Sequence, residues 1–442
     1  MNKERTQKEV LVPRLRFPEF RETGEWDISR LSDVYKFKRT NTLSRDKLNY
    51  EVGTIKNIHY GDIHTKFKTR FLVENEDVPY INPEFTEINN LEDDFCEEGD
   101  IVFADASEDL NDIGKAIEIL SLDGQPLVSG THTILATRIG SKPILGFGGY
   151  LFQSPVARMQ IQKEAQGTKV FGISGNRIAS ILIFLPKDIS EQQKIAQCLS
   201  SLDDLMGAEE RKLAALRDYK KGLMEQLFPR EGETRPRLRF PEFREAGEWE
   251  ATLLKEVCII NPTKTQNNEN DLVSFIPMAA VSENGNIGSH EIRRYVDVEK
   301  GYTPFIENDV IIAKITPCFE NGKAALALNL KNGMAFGSTE FHVFRSKEKC
   351  LPKFLFSYLY REDIRKSGIV NMTGNAGQRR VPASFFEMLP FYLPSIKEQQ
   401  RIADLLSSLD ELISRQAEKI EALKNHKKGL MQQLFPVIPE SV

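Results

Sequence analysis

Apolar side chains recur every seventh residue along two stretches of the chain. In 191–228 one set is Ile195, Leu202, Leu216 and Leu223, and a second is Leu199, Met206, Leu213 and Leu227. In 398–435 the same spacing gives Ile402, Leu409, Leu423 and Leu430, interleaved with Leu406, Ile413, Ile420 and Leu434. This spacing keeps one stripe of a helix turned towards a partner, so both stretches are predicted as long helices meeting along a coiled-coil seam. The plainer alternative is two amphipathic helices lying on separate cores. Each seam is interrupted twice and in step, by Glu209 and Lys220 and by Gln416 and Lys427; polar seam positions cost stability but fix register. Asp188 or Ser190 is placed to cap the first helix, and the second starts similarly after Pro394 and Ser395. Pro229 and Pro436 end them, because proline cannot continue the hydrogen-bond ladder. About 38 residues at roughly 1.5 Å each span about 57 Å, a usable ruler.

The helices belong to a larger duplication. Residues 13–26, PRLRFPEFRETGEW, match 236–249, PRLRFPEFREAGEW, at 13 of 14 positions. Residues 191–229 match 398–436 at 23 of 39. Between these copies lie 27–190 and 250–397, similar in length but far more different, with weak echoes such as GTHTILATR beside GSTEFHVFR. One fold carrying two different surfaces accounts for that pattern. If the copies are related by a pseudo-two-fold axis, the long helices run antiparallel, and Met1–Val12 is expected close to Val437–Val442.

Inside the divergent stretches the pattern is mixed α/β. Short β-rich runs at Glu51–Ile58, Asp100–Phe103 and Ile134–Arg138, and at Leu272–Val281, Asp309–Ile315 and Glu340–Phe344, are punctuated by Gly, Asn, Asp and Pro. Helical patterns are expected around Leu145–Lys163 and Lys353–Lys366. At 442 residues the chain is too long for a single ordinary core.

Composition narrows the class. Hydrophobic residues at 40% and charged residues at 28% describe a folded chain. Neither a signal peptide nor a run of apolar residues long enough for a membrane span is found, which leads to a cytoplasmic expectation with no membrane partner. Five scattered cysteines, never as C-x-x-C, give neither a disulfide framework nor a zinc site. A net charge of −5 is unusual for a nucleic-acid reader, but affinity depends on where the cations sit.

Lys, Arg, Asn and Gln grouped on expected loops are the candidate DNA contacts: Lys56, Asn57, Lys66, Lys68 and Arg70, then Arg293, Arg294, Lys314, Gln378, Arg379 and Arg380. Arg and Lys neutralise phosphates or donate to guanine edges, while Asn and Gln pair with adenine. GNAGQRRV is the most specific segment; GTKVFG, its counterpart, keeps glycines and a lysine but not the arginines. Catalytic signatures are missing. No G-x-x-x-x-G-K-[ST] loop and no N-P-P-[YF] segment occurs, GFGG at 146–149 reads as a flexible bend, and His59 with His64 gives no metal-site expectation. Asp105, Glu108 and Asp109 suggest a nuclease site, but no lysine follows at a useful distance. No catalytic residue and no metal site is expected.

The L-R-F-P-E-F…G-E-W leaders, the E-Q-x-x-I helix openings, the L-S-S-L-D runs and the K-K-G-L-M-x-Q-L-F-P closes resemble the DNA-specificity subunits of type I restriction-modification systems over essentially the whole chain. The resemblance implies an α+β fold: two mixed α/β target-recognition domains separated by two long antiparallel coiled-coil helices with pseudo-two-fold symmetry. The expected divisions are a leader at 1–26, a first recognition domain at 27–188, a helix at 189–229, a linker and second leader at 230–249, a second recognition domain at 250–395, a helix at 396–436 and a tail at 437–442. It further implies a non-catalytic reader of double-stranded DNA with a gapped two-part site. Two methyltransferase subunits and a restriction subunit, the motor and nuclease, would be its partners. S-adenosylmethionine, ATP and Mg2+ would belong to those partners. Two other readings stay open: the specificity subunit of a modification-cleavage complex without a separate motor, and a coiled-coil adaptor that binds only protein.

Overall fold

The computed structural model describes residues 12–85, 94–263, 268–375 and 377–437. The chain divides into two compact units, Met1–Glu209 with Lys419–Val442, and Glu210–Glu418. The predicted heptad stretches form two helices of 39 residues each, Ile189–Leu227 and Ile396–Leu434. Each helix contributes its first half to one unit and its second half to the other.

In the first unit a five-stranded sheet has the order Tyr35–Lys38, Thr133–Arg138, Ile101–Ala104, Ala116–Ser121, Arg70–Leu72. A four-stranded sheet runs Leu127–Ser129, Lys56–Ile58, Tyr80–Ile81, Leu48–Asn49. Asp27–Arg30 pairs antiparallel with Leu182–Leu185, so the strand that follows the leader meets the strand that precedes the long helix. The second unit repeats this. Glu250–Leu253 pairs with Pro390–Leu393, and its sheets run Cys258–Ile260, Phe341–Ser346, Val310–Ala313, Ala324–Leu326 and Glu291–Arg294, Leu272–Ile276, Met334–Gly337, Thr303–Ile306.

Each unit is closed by the same buried node. Arg16 donates through Nε and Nη2 to both oxygens of Glu191 at 2.7 Å, the Trp26 indole reaches Oε1 at 3.4 Å, and Arg16 Nη1 donates to the Gly24 carbonyl at 2.6 Å. In the second unit Arg239 grips Glu398 at 2.7 and 2.8 Å, Trp249 reaches the same carboxylate at 3.3 Å, and Nη1 donates to Ala246 and Gly247 at 2.6 and 2.9 Å. The neighbouring glutamines fix the loops ahead of the next helices. Gln192 accepts from Ile144 N and donates to the Pro186 carbonyl, both at 3.0 Å. Gln399 accepts from Leu351 N at 2.8 Å and donates to Lys349 and Pro394 carbonyls at 2.9 Å.

The apolar seam residues serve these cores. Ile195 and Leu199 share a core with Trp26, Met431, Leu434 and Phe435, and Ile402, Leu406 and Leu409 share one with Trp249, Leu223, Leu227 and Phe228. Ile420 is buried, while Leu202, Met206, Leu213, Leu216, Ile413, Leu423 and Leu430 are half-buried. Polar interruptions carry ion pairs: Lys427 with Asp203 at 2.6 Å and Lys419 with Glu209 at 2.5 Å in the first unit, and Lys220 with Asp410 at 2.5 Å in the second. In the first unit the partners ascend along one helix as they descend along the other, so these segments are antiparallel. The expected proximity of Met1–Val12 and Val437–Val442 concerns residues largely outside those described. The nearest described contact is Leu15 N donating to the Gln433 carbonyl at 2.9 Å.

Several local expectations are corrected. Of Glu51–Ile58 only Lys56–Ile58 is strand, because Asn49 Oδ1 accepts from Glu51 N and Val52 N and turns the chain. Leu272–Val281 stops at Ile276, before Pro277. Each single helix expected is two: Gly148–Gln153 and Pro155–Glu164, then Pro352–Leu359 and Glu362–Val370. The GFGG segment is no flexible bend. Gly146 N and Gly149 N donate to the buried Glu118 carboxylate at 2.8 and 2.7 Å, and a Cβ on Gly148 would lie 2.9 Å from the Tyr35 hydroxyl.

Removing one charge from a buried pair strands the other, at a cost of about 3–5 kcal/mol. Glu191→Gln and Glu398→Gln are each expected to lower the unfolding free energy of their own unit by about that amount in urea titration. A loss below about 1 kcal/mol, the surface-pair range, would contradict the node's role. A second outcome concerns pH. Burial pushes the Glu118 carboxyl from 4.5 up to about 7, despite the opposing N–H donors, and Asp100 from 3.8 up to about 6. Raised folded values favour the native state below the ordinary carboxyl range, and that contribution is lost as pH rises through about 6 to 7. Hydrogen exchange from strands 101–104 and 116–121 is therefore expected to show falling protection, after correction for intrinsic rates, from pH 5 to pH 8. Glu118→Gln should flatten that fall; an unchanged slope would exclude Glu118 as its source.

Candidate nucleic-acid interface

In both units two neighbouring interior strands of one sheet open at the same end into loops tied together by main-chain hydrogen bonds. In the first unit Asp105 N donates to the His132 carbonyl at 3.0 Å, and Ile173 N donates to the Asp105 carbonyl at 2.9 Å. Phe171–Gly172 pairs with Ala106–Ser107. In the second, Lys314 N donates to the Glu340 carbonyl at 2.8 Å, Val381 N donates to Lys314 at 2.9 Å, and Ile315 bridges to Arg380. Strand register therefore puts Asp105 where the other unit has Lys314, His132 where it has Glu340, and Gly172 where it has Arg380.

The side chains on this common frame differ. Arg380 donates through Nε and Nη2 to Glu340 at 2.9 and 2.8 Å and through Nη1 to the Gln378 carbonyl at 3.2 Å. Arg379 pairs with Glu320 at 2.9 Å. The Arg380 guanidinium, with Lys314 and His342 nearby, holds the Glu340 carboxyl below its usual range. In the first unit Asp105 Oδ1 faces His132 Nδ1 at 3.2 Å, and the Tyr60 ring stands edge-on to His132 at 5.2 Å. His132 has φ +56°, an uncommon conformation for a side chain other than glycine.

The structure separates the sequence candidates. Lys314, Gln378, Arg379 and Arg380 meet at these loops. Asn57 is a correction: its side chain is buried within a strand, where its Oδ1 accepts from Asn41 Nδ2 at 2.6 Å, so it offers nothing at the surface. Lys56 is likewise on that strand and 9% exposed, its Nζ 5.5 Å from the Tyr80 ring. Lys66 donates to the Tyr50 hydroxyl at 2.9 Å, Lys68 is exposed, and Arg70 reaches Asp204 on the first long helix at 3.4 Å. Arg293 and Arg294 lie on the Glu291–Arg294 strand rather than a loop, the first 3.8 Å above the Phe275 ring and paired with Glu291, the second paired with Asp297 at 3.1 Å. Sequence reading missed His132, Tyr60 and Glu340; a histidine just before a β-run, two residues after Gly130, was the available hint.

His59 caps the Tyr60–Thr65 helix, its Nδ1 accepting from Gly61 N at 3.1 Å, and His64 Nε2 lies 2.9 Å from the Ala106 carbonyl. Among the described residues no cluster of His, Cys, Asp or Glu could hold a metal ion, and no helix is long and apolar enough to cross a membrane.

Two α+β domains, each presenting a matching loop frame with different side chains, define a duplicated recognition protein. The sequence profile of the type I restriction modification DNA specificity domain matches residues 23–217 and 246–425, and the chain belongs to that family. It is 40% identical over 200 residues to the type I restriction enzyme EcoAI specificity subunit of Escherichia coli, an alignment covering 44% of this chain and 33% of that one. The match thus spans only a third of the length of that relative. It is 25% identical over 428 residues to the putative MjaX specificity subunit of Methanocaldococcus jannaschii, covering 93% of both. Its fold is similar to the crystal structure of the type I restriction-modification S subunit from M. genitalium, with TM-score 0.54 at 13% identity over 97% of this chain and 100% of that one.

The close approach at Gly130 gives a test of the frame. A Cβ there would lie 2.5 Å from Asn57 Nδ2 and 2.7 Å from the Ile58 carbonyl. Gly130→Ala is expected to cost about 1–3 kcal/mol and to raise hydrogen exchange at 104–107 and 130–133. Unchanged exchange in both loops would show that the frame does not depend on this contact.

Proposed function

We propose that this chain is the DNA-reading subunit of a type I restriction-modification complex, each unit recognising one half of a gapped, asymmetric double-stranded site. The observation that carries this reading is the repeated loop frame with unlike side chains, on a background of nearly identical leaders and helix motifs. Lysines and arginines hold phosphates, while loop side chains read base edges in the major groove. The long helices set the gap and dock two methyltransferase subunits, and a restriction subunit supplies the motor and nuclease. S-adenosylmethionine, ATP and Mg2+ are supplied by those partners; this chain itself performs no catalysis.

The test is an exchange. Residues 27–186 are replaced by the matching segment of another specificity subunit, and the complex with its methyltransferase is expressed in cells whose DNA is then sequenced for methylation. One half of the methylated motif should change, with the other half and the gap length retained. A motif altered in both halves, or in neither, refutes the assignment of one unit to one half-site.

A further inference from the structure

We infer that the two units read bases of opposite hydrogen-bonding polarity at the same position of the fold: an acceptor edge, guanine, under Arg380 and Lys314, and an exocyclic amine, that of cytosine, under Asp105. This rests on the proposed function and deepens it.

A guanidinium carries five N–H donors in a rigid fork. Glu340 occupies the edge formed by Nε and Nη2, and the Gln378 carbonyl takes one donor of Nη1. One N–H on Nη1 and one on Nη2 remain. Such a pair matches guanine O6 and N7, the commonest specific contact of arginine in the major groove. The Glu340 carboxylate holds the fork in place, and the Arg380 side chain is 43% exposed, so its free donors face a surface. Lys314 stands at the equivalent of Asp105 and adds a second cation beside the same carboxylate.

In the first unit the arginine position is Gly172 and the lysine position is Asp105, so donors are replaced by a carboxylate. Asp105 is 31% exposed and is held by His132 at 3.2 Å through one oxygen. Its other oxygen can accept from cytosine N4, the partner carboxylates take in a major groove. An arginine edge in one unit and a carboxylate in the other cannot favour the same base.

The full chain is co-expressed with its methyltransferase, and plasmid DNA from those cells is the probe, read by methylation-sensitive sequencing. The wild-type motif should contain an invariant G·C pair in each half, because the guanine read by one unit and the cytosine read by the other are each paired with their complement in the duplex. Arg380→Lys keeps the positive charge but loses the planar fork. It should reduce the preference for that guanine roughly tenfold or more, with the other half intact. Asp105→Asn should relax the cytosine of the opposite half by a similar factor. Should Arg380→Lys abolish methylation through misfolding, Lys314→Gln, expected to weaken the same guanine preference, decides the matter. The inference is overturned if Arg380→Lys and Lys314→Gln leave both halves as in wild type, or if the Arg380 and Asp105 variants act on the same half. A wild-type motif without two gapped halves would defeat the proposed function itself.

Discussion

A carboxylate buried at the head of each long helix governs how the rest of this protein is put together. Moving Glu191 or Glu398 out of water costs several kcal/mol, and only an excellent arrangement of opposite charge and donors offsets it. The leader supplies that arrangement as a set: the two-pronged arginine, the indole N–H, and a turn whose carbonyls accept from the arginine Nη1, joined in the first unit by the Thr23 hydroxyl accepting from Nη2. Few other sequences could supply all of these at once. This accounts for why PRLRFPEF…GEW is written almost identically in both copies while the domains that follow diverge.

The same node explains how a unit can be made from non-contiguous chain. In the second unit the end of one helix, the leader, the domain and the start of the other helix follow one another covalently. In the first unit the helix end arrives from the far end of the sequence. Yet Leu15 N meets the Gln433 carbonyl at 2.9 Å as Leu238 N meets that of Gln226 at 2.9 Å, and Phe435 lies edge-on to Trp26 at 6.0 Å as Phe228 does to Trp249 at 6.3 Å. The covalent link REGETR is therefore not what positions leader against helix end. Burial of the aromatic pair and the main-chain bond do that work in both units.

Legibility from sequence followed the range of the interactions involved. The helices could be read because their period is local and the polar interruptions fall in phase; Asp203, the partner of Lys427, lies 224 residues away and could not be named in advance. The glycine-flanked arginines of GNAGQRRV were legible as a cluster. Their carboxylate partners were not, because Glu340 is 40 residues from Arg380 and joins it only through sheet pairing. Asn57 misled for the opposite reason: it lies in an expected β-rich run yet was counted with the surface contacts because a lysine precedes it, and strand pairing turns its side chain inward to meet Asn41. GFGG misled because its glycines answer a need for close packing around Glu118 rather than for freedom of the backbone.

The frame and the side chains it presents are independent because different atoms hold them. Main-chain bonds from Asp105 to His132 and from Lys314 to Glu340 are made by groups every residue carries. A carboxylate can thus stand where a lysine stands without the loop moving, and the surface can invert its charge while the sheet beneath keeps its register. Carboxylates such as Glu320 and Glu340 hold cationic forks in place at these loops, so part of the negative charge orients neighbouring positive side chains.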